Sequence, residues 1–241
     1  MKKNKMMRIA SFLLVAVLLS TSIISGTFAK YVTSDGTSDS ARVAKFGVVA
    51  SASGTLFDKT YASAATNDAD TDGLSVVSTT NVVAPGTKND TGVTFSFTGT
   101  PEVDVKISFA ITDGYKDVFL KGTGLPDRTT SKSGDTFDVS GTYYPIVYTL
   151  KNGTTTVATG DLATVAAALA SKEIYVNAGT DLSGDTYKYT LTWEWPFGDP
   201  NNNKADTLLG DIAAGTANSV ATTDYSTQVS LEIVATVAQV D

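Results

Sequence analysis

The sequence predicts an all-β fold, an antiparallel β-sandwich of jelly-roll type with two short helices in connecting loops. Apolar and polar residues alternate in several runs, which is the period of a strand with one buried face. Turn-forming pairs such as Pro85-Gly86 and Asn152-Gly153 follow or precede these runs. The chain is 42% apolar and 18% charged, so it has enough apolar side chains for a core. Composition does not shift between residues 55 and 241, which favours one domain there.

Five runs carry the strongest strand patterns. They are Val93 to Phe97, Val103 to Ile111, Tyr144 to Leu150, Tyr187 to Trp195, and a last run in which Val229, Leu231, Ile233, Ala235 and Val237 share one face. Asn152-Gly153 predicts a type I′ hairpin after the third run. Lys121 to Asp135 is rich in Gly, Pro, Thr and Ser, and it is predicted to be a long surface loop.

Two short helices are predicted between strands. Asp161 suits an N-cap, and the apolar residues that follow it share one helical face: Leu162, Val165, Ala166 and Leu169. Asp206 is predicted to cap a second helix that runs to Ala214, after an Asn- and Asp-rich loop.

The first 29 residues have the layout of a signal peptide, with a basic start, an apolar centre and small residues at the end. Thr27 and Ala29 occupy the −3 and −1 positions of a cut before Lys30. An uncleaved membrane anchor is the alternative, although polar residues interrupt the apolar run. This segment holds four positive charges and no acid, so cleavage leaves a chain more acidic than the −7 of the full sequence.

The predicted domains are the signal peptide (1–29), an N-terminal arm (30–54) and the sandwich (55–241). Within the arm, Ala41 to Ala50 is apolar on both faces of a strand, and such a strand expects burial on both sides. The apolar residues are Val43, Ala44, Phe46, Val48 and Val49. Two interpretations stay open: a central strand of the chain's own sandwich, or a donor strand that completes a neighbouring molecule.

A candidate calcium site lies in an acidic loop. Asp68, Asp70, Asp72 and Gly73 match the first half of a calcium-binding loop, in which alternate carboxylates converge. Thr79 stands where an EF-hand has its closing Glu, so the pattern predicts at most a looser calcium site. A solvated acidic turn is the alternative.

Composition also narrows the possible chemistry. The chain contains no Cys and no His, so it has no disulfide, no thiolate nucleophile and no imidazole base. Its acidic character disfavours nucleic acid and anionic membranes as partners. No Gly-x-Ser-x-Gly or His-Glu-x-x-His motif is present, and no catalytic residue or organic cofactor is predicted.

Several short motifs resemble one family. They are Gly26-Thr-Phe-Ala at the end of the leader, Lys30-Tyr-Val-Thr-Ser-Asp, Ala41-Arg-Val-Ala-Lys-Phe-Gly-Val, Val82-Val-Ala-Pro-Gly-Thr, Gly99-Thr-Pro-Glu-Val, Trp193-Glu-Trp-Pro and Asp206-Thr-Leu-Leu-Gly. Together they resemble the TasA/camelysin family, secreted proteins of Gram-positive bacteria processed by a SipW-type signal peptidase. The resemblance implies a jelly-roll fibre subunit of the biofilm matrix or cell surface, whose N-terminal segment completes the next subunit.

Carried onto this chain, the resemblance implies a donor segment from Lys30 to about Val49. The implied partners are other copies of the chain, the SipW-type signal peptidase and other matrix proteins. Two further function classes stay open: a monomeric cell-surface adhesin or binding module, and a camelysin-like secreted peptidase.

Overall fold

The computed structural model describes residues 42–58, 60–61, 76–77, 80–112, 114–196, 200–217 and 220–240. The predicted cleavage residues Thr27, Ala29 and Lys30, and the predicted calcium ligands Asp68, Asp70 and Asp72, lie outside this part. One compact unit begins at Gly47, and residues 42–46, which precede it, belong to no strand. No helix in the described part of the chain is long and apolar enough to cross a membrane.

The unit that begins at Gly47 is dominated by strands. In chain order these are β1 (Val48–Gly54), β2 (Thr60–Tyr61), β3 (Val76–Val77), β4 (Lys88–Gly99), β5 (Val105–Ile111), β6 (Phe119–Pro126), β7 (Thr136–Tyr143), β8 (Val147–Asn152), β9 (Thr155–Gly160), β10 (Glu173–Val176), β11 (Tyr189–Glu194), β12 (Tyr225–Ser226) and β13 (Ile233–Gln239). Two α-helices, α1 (Leu162–Ala170) and α2 (Pro200–Ala213), and a 3₁₀ turn at Asp185–Tyr187 lie between them.

All the strand pairs are antiparallel. The larger sheet has the order β1-β4-β11-β8-β9, and two three-stranded sheets have the orders β10-β5-β13 and β12-β6-β7, with β2 and β3 forming a separate pair. The predicted all-β antiparallel sandwich is therefore confirmed. Its jelly-roll connectivity stays a prediction.

Aromatic side chains join the larger sheet to the sheet built on β5. The ring of Phe109 lies 6.1 Å from Phe95 and 5.9 Å from Phe97, both on β4, and 5.0 Å from Tyr189 on β11. These centroid separations and the steep angles between the rings are typical of favourable aromatic pairs. The side chains belong to runs whose alternation predicted strands, and each of them is buried.

A bulge in β4 interrupts its pairing with β11. Leu191 pairs with Val93, whereas Trp193 pairs with Asn89, so extra residues of β4 lie between these two pairs. The Asn89 Oδ1 atom accepts hydrogen bonds from the backbone N–H groups of Thr91 and Gly92, at 3.2 and 2.8 Å. The bulge therefore depends on one amide side chain and one glycine.

Helix α1 confirms the prediction made for it. The Asp161 carboxylate accepts a hydrogen bond from the Thr164 N–H at 2.8 Å, as an N-cap should. The predicted apolar face is buried in full: Leu162, Val165, Ala166 and Leu169.

The prediction for α2 was wrong at its start. The helix begins at Pro200, and the Asn residues at 201–203, which suggested a loop, form its first turn. Proline is well suited to a first helical turn. Burial of Ala205, Leu208, Leu209 and Ile212 on one face outweighs the weak helix propensity of Asn. Asp206 is therefore a buried residue inside the helix and not its cap.

Two predictions about turns also need correction. Lys121 to Pro126 belongs to β6, because buried Leu120 and Leu125 hold this Gly-containing segment against the core. The β8–β9 hairpin has Gly153 and Thr154 as its central residues. Gly153 has a φ of 55° and Thr154 has no positive φ, which fits a type II′ turn and not type I′.

Gly92→Ala is expected to destabilise the sandwich strongly. Gly92 has a φ of 54°, and a Cβ there would fall on the carbonyl oxygen of Leu191 in the neighbouring strand. The matched control is Gly124→Ala, because Gly124 has a φ of 62° and open space around its missing Cβ. The control should lose about 1–2 kcal/mol of unfolding free energy from the left-handed backbone alone.

Gly92→Ala should lose about 1–3 kcal/mol more, because the two strands must separate. Urea unfolding followed by tryptophan fluorescence measures both losses. Equal losses for the two variants would contradict the close approach of β4 and β11 at Gly92.

Candidate functional site

Strand β1 is the edge of the larger sheet in the described part of the chain. It pairs along its whole length with β4, from Val48 opposite Gly99 to Gly54 opposite Val93. The described residues provide no strand on its other side, and the same holds for β13 in its own sheet. β1 and β13 contact each other, so the two sheets present these edges on the same side. Such edges carry unpaired backbone N–H and C=O groups.

The pairing of β1 with β4 shows which of its side chains point inward. Residues directly opposite each other in an antiparallel pair share a face. Ala50 and Ala52 lie opposite Phe97 and Phe95, which are buried, so these two alanines face the interior. Both are nevertheless exposed to solvent. The interior side of β1 is therefore uncovered.

Strand β13 repeats this situation. Its inward-facing residues are Ile233, Ala235 and Val237. They pair with Ile111, Phe109 and Ile107 of β5, and both Phe109 and Ile107 are buried. Ile233, Ala235 and Val237 are themselves only half-buried. The inward rows of both edge strands thus lack part of the cover that core residues usually have.

Between these rows lies an apolar cleft, which we call the edge cleft. It encloses about 390 Å³, and its lining residues are Ala52, Gly54, Thr55, Leu56, Phe57, Asn81, Val93, Phe95, Leu191, Leu231 and Ile233. None of these lining residues is charged. The side chains of Phe95 and Leu191 at its base belong to the hydrophobic core. The edge cleft is therefore a place where the core can be reached from outside.

One end of the edge cleft is held by side-chain hydrogen bonds. The Trp193 indole N–H donates to the Leu56 carbonyl at 2.6 Å, and the Asn89 amide donates to the carbonyls of Thr55 and Leu56 at 2.7 and 3.0 Å. The Phe57 ring lies 5.8 Å from the Trp193 ring. This end of the edge cleft is therefore formed before any partner arrives.

The five predicted donor residues fall into two groups. Val48 and Val49 already pair with β4, in the compact unit that begins at Gly47. Val43, Ala44 and Phe46 precede that unit and belong to no strand. The Val43 side chain is 61% exposed and that of Phe46 is 40% exposed. Because β1 is an edge strand among the described residues, the arm does not provide a central strand of its own sandwich in this part of the chain.

Three carboxylates are buried in the described part of the chain, and the sequence pattern singled out only Asp206, as a helix cap. Asp117 accepts hydrogen bonds from the N–H groups of Val118 and Leu162 and from the Tyr148 hydroxyl, at 2.9, 3.1 and 3.2 Å. Burial raises the pKa of Asp117, and these hydrogen bonds oppose the rise. Asp117 thus ties the start of α1 to β8.

The other two buried carboxylates connect α2 to the sheets. Asp206 accepts hydrogen bonds from the Tyr143 hydroxyl at 2.8 Å and the Trp195 indole N–H at 3.1 Å. Asp127 accepts from Thr129 and forms an ion pair with Lys204 at 2.9 Å. All three carboxylates therefore bind other groups of the same domain and hold its elements together.

The described residues contain no group of three or more acidic side chains able to hold a metal ion. The calcium ligands predicted at Asp68, Asp70 and Asp72 lie outside that part, so the calcium site stays a prediction. Comparison of the chain with protein-family models, curated proteins and solved structures finds no match. The resemblance to the TasA/camelysin family therefore rests on the sequence motifs alone.

Asp127→Asn is expected to destabilise the protein at pH 7 and to lose this effect in acid. Hydrogen bonds from Thr129 and the ion pair with Lys204 hold the pKa of Asp127 below its usual value. A lowered pKa means that the ionised carboxylate stabilises the folded state above about pH 3.9, the unfolded value. This contribution disappears as the pH falls through the folded pKa.

Urea midpoints measured across the pH range check this prediction. The gap between wild type and Asp127→Asn should be open at pH 7 and should close in strong acid. Asp90→Asn is the control, since it removes an exposed ion pair to Lys88 and should leave the midpoint unchanged. A gap of constant size at all pH values would contradict the role assigned to the Asp127 charge.

Proposed function

We propose that this protein is a structural subunit of extracellular fibres and that it assembles head to tail. In this proposal residues 42–46, which we call the donor segment, enter the edge cleft of the next molecule. The observation that carries the proposal is the exposure of inward-facing Ala50 and Ala52 on β1, opposite the half-buried row of β13. Val43 and Phe46 are exposed apolar side chains, and in an extended strand one of the two can point into this cleft.

The chemistry of strand addition suits both surfaces. A strand laid along a sheet edge satisfies the unpaired N–H and C=O groups of that edge and buries every second side chain. Donor segment and edge cleft are different surfaces of one molecule. A contact between different surfaces does not close on itself when the rotation between subunits is open, so it propagates into a filament.

Burial of apolar side chains of the donor segment contributes too little free energy to offset the cost of association. Full burial of a Val or Phe side chain contributes about 1.5–3 kcal/mol, and Val43 and Phe46 are already partly covered. Only one of them can face the cleft, because residues three apart point to opposite faces of a strand, so the contribution is on the order of 1 kcal/mol, whereas association costs about 4–15 kcal/mol. The backbone ladder and the residues that precede Arg42 must therefore supply the remainder.

In this proposal the signal peptide determines when assembly begins. While residues 1–29 remain attached, the N-terminal arm is tethered, and cleavage before Lys30 releases it. The motifs shared with the TasA/camelysin family support the same assignment, including secretion, a SipW-type peptidase and a place in the matrix or on the cell surface. The absence of Cys and His also agrees with a structural role.

Replacing Val43 and Phe46 together by Asp is expected to abolish filaments and to leave the sandwich intact. Residues 43 and 46 point to opposite faces of a strand, so this variant brings a charge into the apolar cleft whichever face enters it, at a large desolvation cost. The full chain is expressed, the exported product is purified, and filaments are counted by negative-stain electron microscopy. Urea unfolding should show an unchanged midpoint, because both side chains are exposed in the isolated molecule.

The matched control replaces Tyr175 and Val234 by Asp. These two residues are also exposed hydrophobic residues. They lie on the outer face of the three-stranded sheet, because the residues of β5 opposite them alternate with the buried residues of that strand. This variant carries the same change in charge and should form filaments as wild type does. Filaments from Val43→Asp/Phe46→Asp would refute the proposed donor segment.

Ala52→Glu is expected to block the edge cleft without affecting the donor segment. Ala52 is an exposed residue on the inward side of β1, so the domain should tolerate the change, while an arriving strand meets a buried charge. Ser53→Glu is the control, because the neighbouring residue points to the outer face opposite Thr94. The control should form filaments.

The two defective proteins test the head-to-tail arrangement when mixed. Val43→Asp/Phe46→Asp keeps an open cleft, and Ala52→Glu keeps an intact donor segment. Each alone should be monomeric by size-exclusion chromatography, and an equimolar mixture should give dimers and no longer species. Filaments in the mixture, or monomers only, would contradict a contact with one donor and one cleft per molecule.

A further inference from the structure

The proposed donor segment is joined to one wall of the edge cleft by a single residue. Gly47 separates Phe46 from Val48, the first residue of β1, and β1 forms a wall of the cleft through Ala52 and Gly54. If the proposed function holds, the donor segment of each molecule is therefore covalently joined to a strand that lines the cleft of the same molecule. A subunit that filled its own cleft would stop polymerising.

Gly47 is held close to the end of β4. Its φ is 59°, and a Cβ at Gly99 would fall on the Gly47 carbonyl oxygen. Gly99 itself has a φ of 109° and pairs with Val48. The start of β1 is thus fixed by the approach of two glycine backbones, and the chain has no slack between this point and Phe46.

The donor segment could pair with the free edge of its own β1 through a two-residue hairpin, but this pairing directs Lys45 inward and Phe46 outward. A hairpin with Gly47 and Val48 as its two loop residues places Phe46 opposite Val49 and Lys45 opposite Ala50. Val49 points to the outer face, because it pairs with Thr98, and opposite residues share a face. Phe46 would then point to solvent, and Lys45 would point inward together with Val43, so a charged side chain would be placed against the apolar interior.

A hairpin with one more loop residue directs Phe46 inward, but it removes the first residues of β1 from their pairing with β4. Phe46 opposite Ala50 would point inward, with Gly47, Val48 and Val49 in the loop. Val48 and Val49 would then leave Gly99 and Thr98, and Val48 would also leave the core on which it packs. Either form of self-insertion costs contacts that insertion into another molecule retains.

We infer that the short connection through Gly47 prevents a subunit from occupying its own edge cleft, and that it thereby directs the donor segment to a second copy of the chain. This inference rests on the proposed function and adds the reason why assembly takes place between molecules. The register of β1 and the number of connecting residues, and not the composition of the donor segment, then decide between a closed monomer and a filament.

Insertion of a six-residue Gly/Ser linker between Phe46 and Gly47 tests the inference. The inserted linker is longer than the distance of about 4.8 Å between neighbouring strands. The donor segment can therefore reverse direction and pair with β1 in a register that directs Phe46 inward. A short flexible linker gives an effective concentration of about 1 mM, about 100-fold above a protein concentration of about 10 μM. Closed monomers should therefore replace filaments, with about a 100-fold fall in polymerised protein.

Two matched proteins complete the experiment. The same linker placed between Ala41 and Arg42 lies before the donor segment and should leave filaments unchanged. The linker after Phe46 combined with Val43→Asp/Phe46→Asp should be monomeric with an empty cleft. The closed monomer should have a higher urea midpoint than this second protein, because only the closed monomer buries the donor segment.

The outcomes separate this inference from the proposed function. If wild type forms filaments and the linker after Phe46 leaves them unchanged, the inference is wrong and the proposed function stands. If that linker gives monomers no more stable than the form with Asp at positions 43 and 46, the inference is also wrong, since the donor segment has not inserted. If wild type forms no filaments, the proposed function fails and the inference fails with it.

Discussion

Ala50 and Ala52 point into the sandwich, yet solvent reaches them, because no described strand extends the sheet beyond β1. A two-layer sandwich has to cover the inward rows of its edge strands, and an uncovered row costs about 25 cal/mol for each Å² of apolar surface left in water. The same cost falls on the inward row of β13. The proposed assembly depends on what covers these two rows.

The rest of the domain keeps this opening in place and does not collapse into it. Trp193 lies in the core, and its indole N–H still reaches outward to the Leu56 carbonyl at the end of the cleft. Asn89 fixes the same segment while its oxygen organises the β4 bulge. One strand pair, β4 with β11, therefore provides both the aromatic base of the sandwich and the support for the cleft.

Sequence alone predicted the parts of the fold in which side-chain pattern and local structure agree. The alternating aromatic residues of β4 and β11 and the cap and apolar face of α1 belong to this class, because each depends on neighbours within a few residues. The strand β6 was missed, since Gly122 and Gly124 suggest a loop until Leu120 and Leu125 are seen to be buried. The edge cleft was beyond reach for a related reason. Nothing local to Ala52 reveals that β1 has a neighbouring strand on one side only among the residues that the structure describes.

The residues along the inward side of β1 are small. Large apolar side chains at positions 50 and 52 would extend across the cleft towards Ile233 and improve the cover of the isolated molecule. Two alanines occupy these positions instead, and they leave room for an aromatic side chain from another molecule. The isolated domain gives up some of its own core at this edge. A gap of this kind becomes an advantage only if a strand from outside the domain fills it. Among the side chains that the structure describes, the exposed aromatic one nearest to these alanines in sequence is Phe46, one residue before the compact unit.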